Sequence, residues 1–226
     1  MFNQSSIVNR KVPPPMTMQR IKSILPVLCA MLLAMPLAAQ GPAEVWLRKA
    51  ADKFEQKGVD LSFRINEDGV RLSGRLLIEG KKFCFLTDEM KIWYDGTTQW
   101  TLQIDDDYSE LYINEPTPEE QQSINPYLLL GSYQEHFTAT DGGEKTFNGL
   151  PLHLVVLKAN DDRQELSQLS LYIDHEGTPA ALELTFPDER KYKIEVRSMR
   201  NGLTFPQHTF TYQPKSYPAD EVIDMR

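Results

Sequence analysis

The residues that could do chemistry in this chain are few and far apart. Its four histidines, His136, His153, His175 and His208, are separated by at least seventeen residues. None has a His, Cys or carboxylate partner at the spacing that metal ligation needs. Cys84 lies between Phe83 and Phe85, which predicts a buried or half-buried thiol. The run Asp105-Asp106-Asp107 has neither the glycine-centred loop nor the downstream bidentate Glu of a calcium site, so it reads as a solvated turn. A hydrolase could use an acid pair such as Asp95 and Asp107 only if an apolar pocket raised one of the two pKa values, and both fall in turns. Nucleophile-elbow, P-loop and dinucleotide patterns do not occur. The chemistry points away from catalysis and towards binding, with no cofactor and no metal expected.

What remains is apolar surface, repeated with period two. Val70, Leu72, Leu76 and Ile78 alternate with Arg71, Ser73 and Arg75; Phe83 and Phe85 follow, then Met90, Ile92 and Tyr94, then Trp100, Leu102 and Ile104. Side chains on a strand alternate sides, so this pattern predicts a sheet with one apolar face. Phe63, Leu76, Ile78, Phe83, Phe85, Trp100, Phe186 and Phe210 are expected together on its inner face. Such a face, inside a curve, suits an apolar ligand. Asn125-Pro126 then caps a short helix, Tyr127, Leu128, Leu129 and Leu130, which Gly131 stops. One apolar turn gains nothing in water, so it is expected as a cover over the apolar face.

The elements that must position these residues are mostly strands. Residues 42–57 predict the one long amphipathic helix, with Ala43, Leu47, Ala50, Ala51 and Phe54 on its dry side. Strands are expected at 59–66, 69–79, 82–86, 90–94, 98–104, 108–113, 136–140, 152–158, 168–174, 180–186, 191–199 and 209–212. Turns such as Asp95-Gly96, Asp141-Gly142-Gly143, Asn148-Gly149 and Asn201-Gly202 separate them. The fold class is mainly β (α+β). About eleven antiparallel strands form a single strongly curved sheet, an incompletely closed barrel, with an N-terminal helix and a short helical lid.

Residues 1–40 read as an export signal. Arg20 and Lys22 precede an apolar stretch from Ile24 to Pro36, and Ala38-Ala39-Gln40 offers a small-residue cleavage site. Residues 41–226 then suit one domain, expected in the periplasm and as a monomer. The whole chain carries a net charge of −8, and the leader holds four basic and no acidic residues, so the remainder carries −12. That balance argues against nucleic acid and against anionic lipid headgroups as partners of the chain as a whole. Only Cys84 remains outside the leader, so no internal disulfide can form and burial alone must hold the fold.

Several local motifs, in order, resemble the periplasmic carrier proteins for outer-membrane lipoproteins, the LolA family. They are the N-terminal helix, Ser73-Gly74-Arg75-Leu76, the aromatic strand Phe83-Cys84-Phe85, and Tyr94-Asp95-Gly96-Thr97-Thr98-Gln99-Trp100. Asn125-Pro126-Tyr127-Leu128-Leu129-Leu130 and, in the C-terminal half, Leu169-x-Leu171-x-Ile173-Asp174-x-x-Gly177 and Phe210-x-Tyr212-x-Pro214 with Val222-Ile223-Asp224 continue the series. The resemblance implies a half-barrel that binds lipoprotein acyl chains. It also implies an inner-membrane lipoprotein-releasing exporter as donor and an outer-membrane acceptor, with no enzymatic activity. Where the family places an Arg-Pro pair that latches its lid, this chain reads Glu79-Gly80-Lys81-Lys82. A latch here would fall to Lys81 or Lys82, point charges without the planar guanidinium fork. The same half-barrel also serves lipid or glycolipid binding and envelope sensing, which is the alternative reading.

Overall fold

The computed structural model describes residues 41–55, 57–67, 70–116, 133–161 and 166–226. The expected signal segment 1–40 and the expected cover Tyr127–Leu130 lie outside these. Helix α1 is Pro42–Glu55. Proline suits its first position, where no N–H is needed, and Glu44 in the first turn and Lys53 in the last oppose the helix dipole. Ala43, Leu47, Ala50, Ala51 and Phe54 are its buried stripe, as their spacing predicts.

Twelve strands follow: β1 Val59–Glu67, β2 Val70–Glu79, β3 Lys82–Thr87, β4 Met90–Tyr94, β5 Gln99–Asp105 and β6 Tyr108–Asn114 make the first half. A one-turn helix, α2 Tyr133–His136, leads into β7 Phe137–Phe147, β8 Leu150–Ala159, β9 Gln168–Ile173, β10 Pro179–Thr185 and β11 Lys191–Arg200. A 3-10 turn, Gln207–Phe210, and β12 Glu221–Asp224 end the chain. All twelve strands join one curved, unclosed sheet in the order β12-β6-β5-β4-β3-β2-β1-β11-β10-β9-β8-β7. Every neighbouring pair is antiparallel except β12 with β6, which run parallel. β1 therefore pairs with both β2 and β11, and joins two meanders into one sheet.

Three local expectations are corrected. Asp141-Gly142-Gly143 is not a turn but a bulge inside β7. Asp141 Oδ1 accepts the Gly143 N–H at 2.9 Å and Gly143 takes φ +67°, so the chemistry that closes a turn here kinks a strand that continues. Thr209–Tyr212 is not a strand; the Thr209 and Thr211 N–H groups donate to the carbonyls of Pro206 and His208, so the segment turns on itself instead of joining the ladder. In its place Glu221–Asp224 pairs with β6, and the Ser109 hydroxyl and N–H both bond Asp220 Oδ2 at 2.8 Å.

α1 lies inside the curve and packs on β7 and β8. At the β9–β10 turn the helix comes so close that a Cβ on Gly177 would sit 2.8 Å from that of Lys49. Gly177 also holds φ +88°, so glycine is required there twice over.

Candidate functional site

The register of the ladder decides which side chains share a face. Residues directly opposite one another point the same way. Leu61, Phe63 and Ile65 of β1 stand opposite Leu76, Gly74 and Leu72 of β2, and Leu76 and Ile78 stand opposite Phe85 and Phe83 of β3. Ile92 and Tyr94 of β4 continue the row. These residues form one continuous buried cluster with the dry stripe of α1 and with inward residues of β8–β11 such as Val155, Leu171, Leu182, Leu184 and Ile194. The concave face is thus a single apolar surface running nearly the width of the sheet.

Six of the eight expected face residues are there. Phe63, Leu76, Ile78, Phe83, Phe85 and Phe186 all belong to this cluster, and Phe85 has no exposed surface. Phe63 stacks on Phe85 with centroids 5.4 Å apart, and Phe83 meets Tyr94 at 5.5 Å. Gly74 makes the first stack possible: a Cβ there would lie 2.4 Å from the Phe63 ring. Rings bury large apolar areas and favour such offset contacts.

Trp100 and Phe210 are elsewhere, which corrects the expectation. Trp100 stands opposite Trp93, and Trp93 opposite Cys84, on the convex side. There they form a second cluster with Leu77, Leu102 and Leu111, covered by Phe205, Phe210, Tyr212 and Tyr217 of the C-terminal segment. Alternation correctly groups Trp100 with Leu102 and Ile104, but only the pairing partner fixes the side they take. Cys84 sits in this second cluster, where burial pushes its thiol up to about 12.

Beyond β4 the concave face turns polar. Gln99 and Thr101 of β5 continue the row of Tyr94 and Ile92. Both are buried, and Gln99 Nε2 donates to Thr101 Oγ1 at 3.2 Å. Gln99 Oε1 has no hydrogen-bond partner among the described residues, which is costly for a buried acceptor. On β6 the row ends in Tyr112 and Glu110, whose side chains bond each other.

At the other end of the curve, α1 is fastened by an aromatic and charged stack. Trp46 lies on His153 of β8 with centroids 4.1 Å apart, and the Lys49 ammonium sits 3.9 Å from the Trp46 ring centroid. His153 Nε2 meets Asp141 Oδ1 at 2.6 Å. The Gly143 N–H, and after it His153, hold the Asp141 carboxyl below its ordinary value. Residue spacing carries no sign of this contact, because the bulge at 141–143 sets which way Asp141 points. Lys81 and Lys82, expected as a latch, lie at the β2–β3 turn, where Gly80 takes φ +59°.

Comparison with known proteins agrees with this architecture. A family model described as "Outer membrane lipoprotein carrier protein LolA" matches residues 43–181, from α1 into β10. A search of curated protein sequences finds no match. Among solved structures, an uncharacterized conserved protein from Thermus thermophilus superposes with a TM-score of 0.56 at 11% identity, over 81% of this chain and 99% of that one. MucB follows with a TM-score of 0.47 at 14% identity, over 77% of this chain and 64% of that one. A LolA superfamily protein from Nitrosomonas europaea gives 0.39 at 12% identity, over 76% and 99%. At such identities the structural likeness speaks to the fold alone; the family match, over more than half of the sequence, carries the assignment. The chain belongs to the outer membrane lipoprotein carrier protein LolA family, whose members are periplasmic half-barrel binding proteins.

Proposed function

We propose that the protein is a non-enzymatic periplasmic carrier that takes the acyl chains of lipoproteins onto its concave face and shuttles them from an inner-membrane exporter to an outer-membrane acceptor. The observation that supports it best is the continuity of the concave apolar cluster from β4 across β1 to β8, with polar Gln99 and Thr101 at one end. An acyl chain of about fifteen methylenes costs roughly 12 kcal/mol in bare water, at about 0.8 kcal/mol per methylene. A cargo of that kind needs apolar contact and little polar specificity. The rings that would receive it, Phe63, Phe83, Phe85 and Phe186, are buried within one cluster. Acyl chains therefore enter by replacing contacts within the cluster, so net affinity stays low enough for release. Tyr127, Leu128, Leu129 and Leu130 enter this reading from sequence alone, as an apolar cover, with Lys81 or Lys82 as its latch. Gln99 Oε1 offers an acceptor for an N–H at the polar head of the cargo.

Mass spectrometry of the protein recovered from a periplasm tests the reading. Co-purified acylated peptides are the expected result. Free lipids alone would make it a lipid-binding module with another cargo, and an empty protein would count against acyl binding altogether.

A further inference from the structure

The convex face carries an apolar patch towards each end and a polar stretch in the middle. The C-terminal segment covers β3–β6, and Phe147, Leu152 and Tyr172 of β7–β9 pack together on Ala181 of β10. Between them lie β2, β1 and β11, the sixth to eighth of twelve strands and so the crest of the curve. Their outward residues are Arg64, Arg71, Arg75, Lys193, Arg197 and Arg200, interleaved with Ser62, Ser73 and Ser198. The outward carboxylates of these strands are Asp60, Glu79 and Glu195; with Lys191 added to the six cations, four positive charges remain in surplus on a chain whose net charge is −8.

Two of the arginines are held in place. Arg75 bonds both oxygens of Asp60, at 2.7 and 2.8 Å, and Arg200 bonds one of them. The Asp60 side chain is 6% exposed, whereas those of Arg75 and Arg200 are 49% and 66% exposed. The buried carboxylate thus orients two guanidinium groups whose remaining N–H donors face solvent, a geometry suited to phosphate oxygens. Arg197 is the extra residue at the β11 bulge and pairs with Glu195 at 2.6 Å.

We infer that this crest is a docking surface for an anionic phospholipid membrane. Three observations favour headgroups over an acidic protein. Protein interfaces depend on buried aromatic or aliphatic anchors, and the exposed large hydrophobic side chains among the described residues, Val45, Tyr108, Leu150, Val222 and Met225, all lie off the crest. Four strands, β6 to β3, separate the crest from the acidic edge strand β12. The outward side chains are long cations and short hydroxyls, which act additively on a charged surface at about 1 kcal/mol per basic residue. Docked this way, the concave face never touches the bilayer.

Sedimentation with vesicles of phosphatidylglycerol and phosphatidylcholine in equal parts, against pure phosphatidylcholine, tests the inference without any acyl cargo, so it stands or falls apart from the carrier reading. The protein should bind the anionic vesicles at low salt, release them at high salt and ignore the neutral ones. The triple variant Arg64→Gln, Arg71→Gln, Lys193→Gln, with its fold checked by circular dichroism, should bind on the order of 100-fold more weakly. Removing charge from α1 by Arg48→Gln and Lys53→Gln should leave binding unchanged. Undiminished binding by the triple variant would overturn the inference. So would a wild-type protein that ignores anionic vesicles yet binds poly-glutamate, since the crest would then face an acidic protein.

Discussion

The two faces of this sheet are built from the same strands and do opposite things. The concave face is one apolar cluster from β4 to β8, closed over by α1 at one end and turning polar at β5. The convex face is two apolar patches, one of them under the C-terminal segment, and a basic crest between them. The C-terminal segment seals its patch tightly: Trp93 meets Tyr212 and Tyr217 at 5.5 and 5.1 Å, and the Tyr212 hydroxyl donates to the Tyr217 carbonyl at 2.5 Å. Aromatic content alone therefore does not mark a binding face. What separates the two is whether a dedicated piece of chain, with its own hydrogen bonds, covers the rings.

The comparison can be broken at its strongest point first. Phe85 is fully buried at the centre of the concave cluster, and Phe85→Ala should lower unfolding free energy by about 3–5 kcal/mol in urea titration. A loss well under that range would mean that the concave face is loosely packed and that Phe85 is no keystone of the cluster.

A smaller effect sharpens the convex side. Arg75, and after it Arg200, hold the Asp60 carboxyl below its usual value of 3.8, against the opposing pull of burial. A depressed carboxylate pKa stabilises the fold fully above the unfolded value and loses that contribution as pH falls through the lower folded value. Asp60→Asn should cost about 1–3 kcal/mol near neutral pH, the range for hydrogen bonds to charged groups. Thermal melts of variant and wild type should converge in acid, below the usual carboxylate value of 3.8. A gap that widens as pH falls would reverse the sign and refute the clamp.

Much of this was legible in the sequence, for a physical reason. Helical spacing at 42–57 predicted the helix, and period-two runs with Gly-bearing turns predicted most strands and the curved sheet, because local backbone chemistry and burial agree along β1–β4. They also grouped Trp100 with Leu102 and Ile104, yet put that group on the wrong face. Alternation gives membership in a face, and only non-local pairing, here Trp100 with Trp93, gives its side. Val222-Ile223-Asp224 entered only through the family resemblance and not as a strand, because four residues beside a sheet edge are too few to show alternation. The stack of Trp46 on His153 depends on a helix docking across more than a hundred residues, and the basic crest on strands β2 and β11 meeting across β1. Neither contact leaves a trace in spacing.

The three tryptophans divide between the faces and so report on the central claim. Trp46 packs on the edge of the concave cluster, whereas Trp93 and Trp100 lie in the convex one. Brominated acyl chains quench tryptophan emission at contact. In a Trp93→Phe, Trp100→Phe variant, which keeps Trp46 alone, titration with a brominated lipopeptide should quench the emission. In Trp46→Phe, which keeps the convex pair, emission should hold steady. Quenching of Trp93 and Trp100 with Trp46 untouched would place acyl chains on the other side of the sheet and contradict the account.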